Sequence, residues 1–170
     1  MHRIEHDPVF FSPGAGKLPT GRFDSPGGRF GVLYLGESLE AAFVETMLRN
    51  PQRRLVSLSG INDRAVTILA VSRPIRLVEM RGAGLQQLGT DNAISTGPYP
   101  ACGAWADALF DHAARPDGIA YASRHDPDQG CVALFSRPGL SVEVIGDPTP
   151  LAGMPGEIAA MLRRYGKGLG

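Results

Sequence analysis

Apolar positions along this chain fall into short runs separated by glycine, proline and small polar residues, and only three stretches keep a helical period. Residues 3–6, Arg-Ile-Glu-His, read as a short first strand. The stretch 12–31 holds so many Gly and Pro residues that a long irregular loop is expected. Residues 31–35, Gly-Val-Leu-Tyr-Leu, read as a buried strand, and Ser38 is placed to cap a helix over 39–49 that Pro51 ends. Further strands are predicted at 55–58, 66–71 and 75–78, with a polar turn at 60–63. After a Gly-rich stretch at 81–97, residues 102–114 have helical composition, with Trp105, Ala108, Leu109 and His112 on one face. Strands at 119–122 and 131–135, joined by a loop at 123–130, precede a strand at 140–145. The last element is a helix over 157–165 with Arg163 and Arg164 at its negative end. The pattern predicts one α+β domain over residues 1–170, without repeats or a linker.

Composition narrows the function classes. The 22 glycines and 14 prolines punctuate apolar stretches and do not form tracts, so they signal loops rather than disorder. Seventeen basic residues offset seventeen acidic ones, leaving no overall field to hold a nucleic-acid backbone or an anionic membrane. An anionic ligand must therefore be bound locally. Cys102 and Cys131 lie in apolar surroundings without metal-ligand spacing and are expected to be buried free thiols. With no signal-peptide pattern and no apolar run long enough to span a bilayer, a soluble cytoplasmic protein is expected.

The loop Gly21-Arg22-Phe23-Asp24-Ser25-Pro26-Gly27-Gly28-Arg29 brings two guanidinium groups close to backbone that a ligand can approach, and it leads into a strand carrying Tyr34. Guanidinium groups grip pyrophosphate, glycine N–H groups supplement them, and a tyrosine ring stacks on a base. The same residues also suit solvated loop charges and a core tyrosine. Neither a P-loop nor a Gly-x-Gly-x-x-Gly turn is present. Glu45 lies on the helix after Tyr34, either facing a cleft or pairing with Arg49 on a solvated face. Ser123 ends a strand, where it faces a site or caps a turn. Ser123, His125 and Asp126 include the residue types of a hydrolytic triad, but without a Gly-x-Ser-x-Gly elbow. His2 with His6, or Asp126 with Asp128, supply too few ligands for a metal, so no metal is expected.

Taken together, the 21–27 loop, Val32-Leu33-Tyr34-Leu35, and Glu37-Ser38-Leu39-Glu40-Ala41-Ala42-Phe43-Val44-Glu45 resemble the opening signature of the RES-domain family. Asp117-Gly118-Ile119-Ala120-Tyr121-Ala122-Ser123-Arg124, followed by Cys131 to Phe135, is similar to its later block, and Arg3 matches an arginine in its first strand. Asp24 stands where the family usually has Asn and Phe23 where Trp is common, and Arg29 is an extra basic residue.

The resemblance implies an ADP-ribosyltransferase-like split β core with flanking helices. It implies a toxin that binds NAD+ as substrate and cleaves its nicotinamide–ribose bond, passing ADP-ribose to water or inorganic phosphate. Transfer to a protein acceptor is the alternative, and a non-catalytic partner-binding domain a more distant one. On this resemblance Glu45, Tyr34 and Arg22 are the catalytic candidates, and Arg3, Arg22, Arg29, Tyr34 and Ser123 the NAD+-binding candidates. Ser95 or Thr96 remain alternatives to Ser123. The expected partner is a helix-turn-helix-type antitoxin.

Overall fold

The computed structural model describes residues 1–13 and 17–170. The part of the expected 12–31 loop that falls on 14–16 lies outside the described residues. In chain order the elements are β1 (His2–Arg3), β2 (Val32–Gly36), α1 (Leu39–Met47), β3 (Leu55–Val56), α2 (Leu58–Asn62), β4 (Arg64–Val71) and β5 (Leu77–Met80). They continue with α3 (Ala83–Gln87), α4 (Ala93–Thr96), α5 (Tyr99–Asp111), β6 (Gly118–Ala122), β7 (Gly130–Phe135) and β8 (Val142–Pro150). A 3-10 turn (Leu151–Gly153), α6 (Pro155–Arg164) and β9 (Gly168–Leu169) complete the chain.

The β core is split, as the α+β expectation requires. One sheet has the order β2-β7-β6-β5, antiparallel except for the parallel β5–β6 pair, and a second has the order β1-β4-β8. A small parallel pair, β3–β9, lies apart from both. Every residue of β6 is buried, as its unbroken apolar composition dictates for a central strand covered on both faces. Side-chain alternation on β2 and β7 gives each face of this sheet its own core. Phe23, Val32, Tyr121, Cys131, Ala133 and Phe135 pack with Cys102, Ala106 and Leu109 of α5 on one side. Leu33, Val132 and Leu134 meet Leu69 and Val71 of β4 on the other. A third cluster joins Phe43, Val44 and Leu48 around α1 to Ile61 and to Ile158, Met161 and Leu162 of α6.

Several expected elements differ in extent or kind. The first strand is only His2–Arg3, because the chain turns after Arg3. The 55–58 strand stops at Val56, and the expected polar turn at 60–63 is mostly helix, since Ser57 caps α2 by accepting from the Gly60 N–H and Ile61 is buried. Residues 81–97 are not wholly irregular but hold α3 and α4. The 102–114 helix begins earlier, at Tyr99, and ends at Asp111, and its core face is only in part the one expected: Leu109 is buried and Trp105 packs against the core, but Cys102, Gly103 and Ala106 are buried too, while Ala108 and His112 are exposed. Small residues face inward there because the 21–27 loop packs against them; a side chain on Gly103 would meet the Asp24 carbonyl oxygen at 2.9 Å. The last strand runs on to Pro150 as β8. Both cysteines are free and buried, and no helix among the described residues is long and apolar enough to cross a membrane.

The connection from β2 to α1 is tight. Ser38 caps the helix by accepting from the Ala41 N–H at 2.9 Å. Just before it, the backbone at Gly36 comes so close that an added Cβ would lie 2.6 Å from the Ala42 nitrogen. Gly36→Ala must push α1 away from β2 and is expected to cost about 1–3 kcal/mol. A lowered urea midpoint at unchanged slope is the expected readout; an unchanged midpoint contradicts this close approach.

Candidate active site

A cleft of 560 Å³ opens where β2, α1, the 20–22 loop and the segment after β6 converge. Strand β2 contributes Tyr34, α1 contributes Glu45 and Arg49, the loop contributes Arg22, and Arg124 and His125 follow β6. Tyr99, Tyr121 and Cys131 line it too.

Glu45 reaches the cleft about two turns after the Ser38 cap, on the side of α1 away from the Phe43–Val44 core. Its carboxylate does not pair with Arg49, whose Nε instead donates to the Glu45 carbonyl at 2.6 Å. Ser123, at 1% exposure, donates from Oγ to Glu45 Oε1 at 2.6 Å. The lone pairs of the same Oγ accept the backbone N–H groups of His125 and Asp126 at 3.1 and 3.3 Å. With those N–H groups supplying hydrogens, the Ser123 hydroxyl proton is directed at Glu45, which fixes one carboxylate oxygen and leaves the other for a ligand.

Arg22 is 7% exposed. Its Nη1 donates to the Gly97 carbonyl at 2.9 Å, and the guanidinium lies 4.9 Å from the centre of the Tyr99 ring. Its Nη2 is buried with no hydrogen-bond partner. An orphaned, charged donor of this kind is costly unless a ligand accepts from it. Among the described residues, Arg22, Arg49 and Arg124 have no carboxylate within ion-pair distance, and Glu45 is the one acidic residue lining the cleft. The local field is positive.

Tyr34 is held by its hydroxyl, which donates to Asp24 Oδ1 at 2.9 Å and accepts the Phe23 N–H at 2.8 Å. Burial, followed by the Asp24 charge, pushes its pKa far up, so the phenol stays protonated and its ring is the part offered to the cleft. Burial likewise raises Tyr121, and pushes the Cys131 thiol up to about 12 with Glu45 and Glu37 adding to the effect. Burial also lowers His125, opposed by Glu45 and reinforced by Arg124, Arg49 and Arg22.

The structure therefore brings Arg22, Tyr34, Glu45 and Ser123 to one place and leaves two expected residues elsewhere. Arg29 makes a bidentate pair with Asp111, at 2.8 and 2.6 Å, outside the cleft lining. Arg3 is exposed, faces Glu5 at 3.4 Å, and does not line the cleft either. Ser95 is buried with its Oγ unpartnered, and Thr96 donates to the Asn92 carbonyl; neither meets Glu45. The hydrolytic triad is not assembled, because His125 offers Ser123 its backbone N–H and Asp126 accepts from Tyr165. His2 is occupied by Thr67 Oγ1 and two backbone carbonyls, and Asp126 accepts the Asp128 N–H in a turn. Among the described residues no group of three or more His, Cys, Asp or Glu is placed to hold a metal ion. Arg49 and Arg124 were not singled out from sequence as ligand-facing. Arg49 is visible there only as a possible partner for Glu45 four residues earlier.

The RES-domain family model matches residues 1–152. The chain belongs to the RES-domain family. All four clustered residues fall within the matched region, as do both sheets. Among solved structures, a chain described under "Crystal structure of the M. tuberculosis MbcT-MbcA toxin-antitoxin complex" is similar in fold, with a TM-score of 0.56 at 14% identity over 91% of this chain and 85% of that one. A comparison with curated proteins finds no match. For this RES domain the α+β split core with flanking helices is thus both observed and shared with a solved neighbour.

The sign of the Glu45–His125 coupling gives a direct check. A carboxylate nearby favours the imidazolium, so Glu45→Gln is expected to lower the His125 pKa further below the ordinary 6.5. A histidine NMR titration measures this, and a His125 midpoint that rises in the variant contradicts the arrangement. With its folded pKa depressed, neutral His125 contributes stability that is complete above the unfolded value and declines as pH falls below it.

Proposed function

We propose that this RES domain binds NAD+ in the Glu45 cleft and breaks the nicotinamide–ribose bond, passing ADP-ribose to water or inorganic phosphate. The observation that carries the reading is the Ser123–Glu45 hydrogen bond at 2.6 Å, which fixes one carboxylate in a cleft that Arg22, Arg49 and Arg124 also line. A dinucleotide asks for that combination: cations for the pyrophosphate and one carboxylate for the ribose. The cleft volume also lies in the range of small-molecule sites.

In this reading Arg22 meets a phosphate with its unpartnered Nη2, supported by Arg49 and Arg124, and Tyr34 stacks on the nicotinamide or ribose. As the C–N bond breaks, its electron pair goes to the pyridinium nitrogen and nicotinamide departs neutral. Positive charge develops on the ribose, and Glu45 stabilises it most strongly in the transition state. Water or phosphate then bonds to the ribose carbon, and where water adds, its extra proton passes to bulk solvent. No metal enters these steps. A kept-neutral His125 adds no charge that would oppose the oxocarbenium.

Transfer to a protein acceptor is the second reading. One observation favours it: a second cleft of 560 Å³ adjoins the first, sharing Met1, Tyr34, Leu35, Gly36 and Ala42 with it, and is also lined by Leu39, Val66, Ile68, Ile145 and Met154. Family membership and the fold shared with a toxin–antitoxin complex support the further proposal that the protein is a cytoplasmic toxin neutralised by an antitoxin of helix-turn-helix type.

Glu45→Gln keeps the shape and the Ser123 contact but removes the charge, and is expected to lower NAD+ turnover by about 10²-fold or more. Nicotinamide release that is unchanged in this variant defeats the assignment. Arg22→Ala is expected to raise KM chiefly, while Arg29→Ala leaves it unchanged; equal effects overturn the placement of Arg29 outside the site. Mass analysis of products with and without phosphate, and of labelled NAD+ incubated with lysate, separates water, phosphate and protein as acceptors. A protein that binds a partner but never consumes NAD+ supports the non-catalytic alternative.

A further inference from the structure

The family match ends at residue 152, yet the chain beyond it is tied to the site at several points. Helix α6 presses Ile158, Met161 and Leu162 against Phe43, Val44 and Leu48 on the core side of α1, the helix that carries Glu45. Arg164 lies 3.0 Å from Glu40 on the same helix. Lys167 donates to the carbonyls of Pro51 and Arg53, both at 2.7 Å, and so holds the segment after α1, where Pro51 lines the cleft.

The most direct tie runs through Tyr165. Its hydroxyl donates to Asp126 Oδ2 at 2.6 Å. Asp126 belongs to the loop between β6 and β7, and its backbone N–H donates to Ser123 Oγ, which in turn donates to Glu45. Four residues are thus joined by consecutive hydrogen bonds, from the C-terminal helix to the carboxylate in the cleft. The other Asp126 oxygen accepts the Asp128 N–H at 3.1 Å, and the Asp126 carbonyl accepts from Gln129, whose own carbonyl accepts the Ser123 N–H. Asp126 is the node of this loop, and Tyr165 is what anchors the node to the rest of the fold.

We infer that Tyr165 is a positioning residue for the Ser123–Glu45 pair, acting through Asp126 from outside the family-matched region. The inference rests on the proposed NAD+-cleaving reading of the site. Tyr165 touches neither the cleft nor Glu45, so its contribution is to orientation: with the Asp126 backbone held, the two N–H donors to Ser123 keep its hydroxyl proton aimed at Glu45.

Tyr165→Phe keeps the ring and removes the hydroxyl. It is expected to lower kcat for NAD+ loss about tenfold while KM stays within about a factor of two, because orientation rather than binding is lost. Asp126→Ala is expected to do the same, and the double variant to be no worse than either single one, since both cut the same connection. A merely structural tyrosine gives additive losses or moves KM and kcat together. Amide exchange supplies a second measurement: the His125 and Asp126 N–H groups are expected to exchange faster in Tyr165→Phe. Unchanged exchange, or faster exchange with unchanged kcat, overturns the inference while a large Glu45→Gln effect leaves the reaction standing. Should the wild-type protein leave NAD+ intact, the reaction reading falls by itself and exchange alone decides whether Tyr165 holds the loop.

Discussion

Asp24 is 1% exposed and among the described residues has no cation within ion-pair distance, so its carboxylate is satisfied by hydrogen bonds. One oxygen accepts the N–H groups of Thr20 and Gly21 at 2.8 and 2.6 Å, and the other accepts the Tyr34 hydroxyl. Leaving such a group unsatisfied is expensive, which makes the 20–24 loop and the end of the Tyr34 side chain parts of one arrangement. Where that arrangement sits decides the rest. Arg22 lies between the Asp24 contacts in sequence, so its guanidinium is delivered to Gly97 and Tyr99, and Gly103 of α5 must be bare to let the Asp24 backbone come close. Every partner of Asp24 is a donor, which an acceptor-only side chain suits well.

The elements nearest the site were also the most legible. Short apolar strands with a capping serine after them announce β2 and α1, because strand burial and the Ser38 cap are local effects. The spacing from Tyr34 to Glu45 then carries over into space. What local pattern leaves open is set by distant partners. Whether Arg29 faces a ligand depends on Asp111, and whether Arg22 is buried depends on α5, neither of which neighbours them in sequence. The inward face of α5 keeps Leu109 and packs Trp105 but turns Ala108 and His112 outward, because close packing of the 21–27 loop selects Cys102, Gly103 and Ala106. Glycine content hid α3 and α4, whose formation rests on tertiary packing rather than propensity.

Charge and burial are separated in the cleft with some economy. Burial favours the protonated forms of Tyr34, Tyr121 and Cys131, and the charged side chains set among them are three arginines and a single carboxylate. Low-dielectric walls lengthen the reach of those charges. The zero net charge of the whole chain conceals this polarity, because acidic residues such as Asp111 and Asp117 are spent on arginines elsewhere.

The pairing of β3 with β9 and the seat of α6 on α1 have a consequence in time. The helix bearing Glu45 is formed early in the chain, but three of the apolar side chains in the cluster on its inner face, Ile158, Met161 and Leu162, belong to α6. A ribosome-bound chain that has not yet released α6 carries Glu45 on a helix whose core face is only partly covered. The polypeptide order therefore delays completion of this site until α6 has left the ribosome and packed.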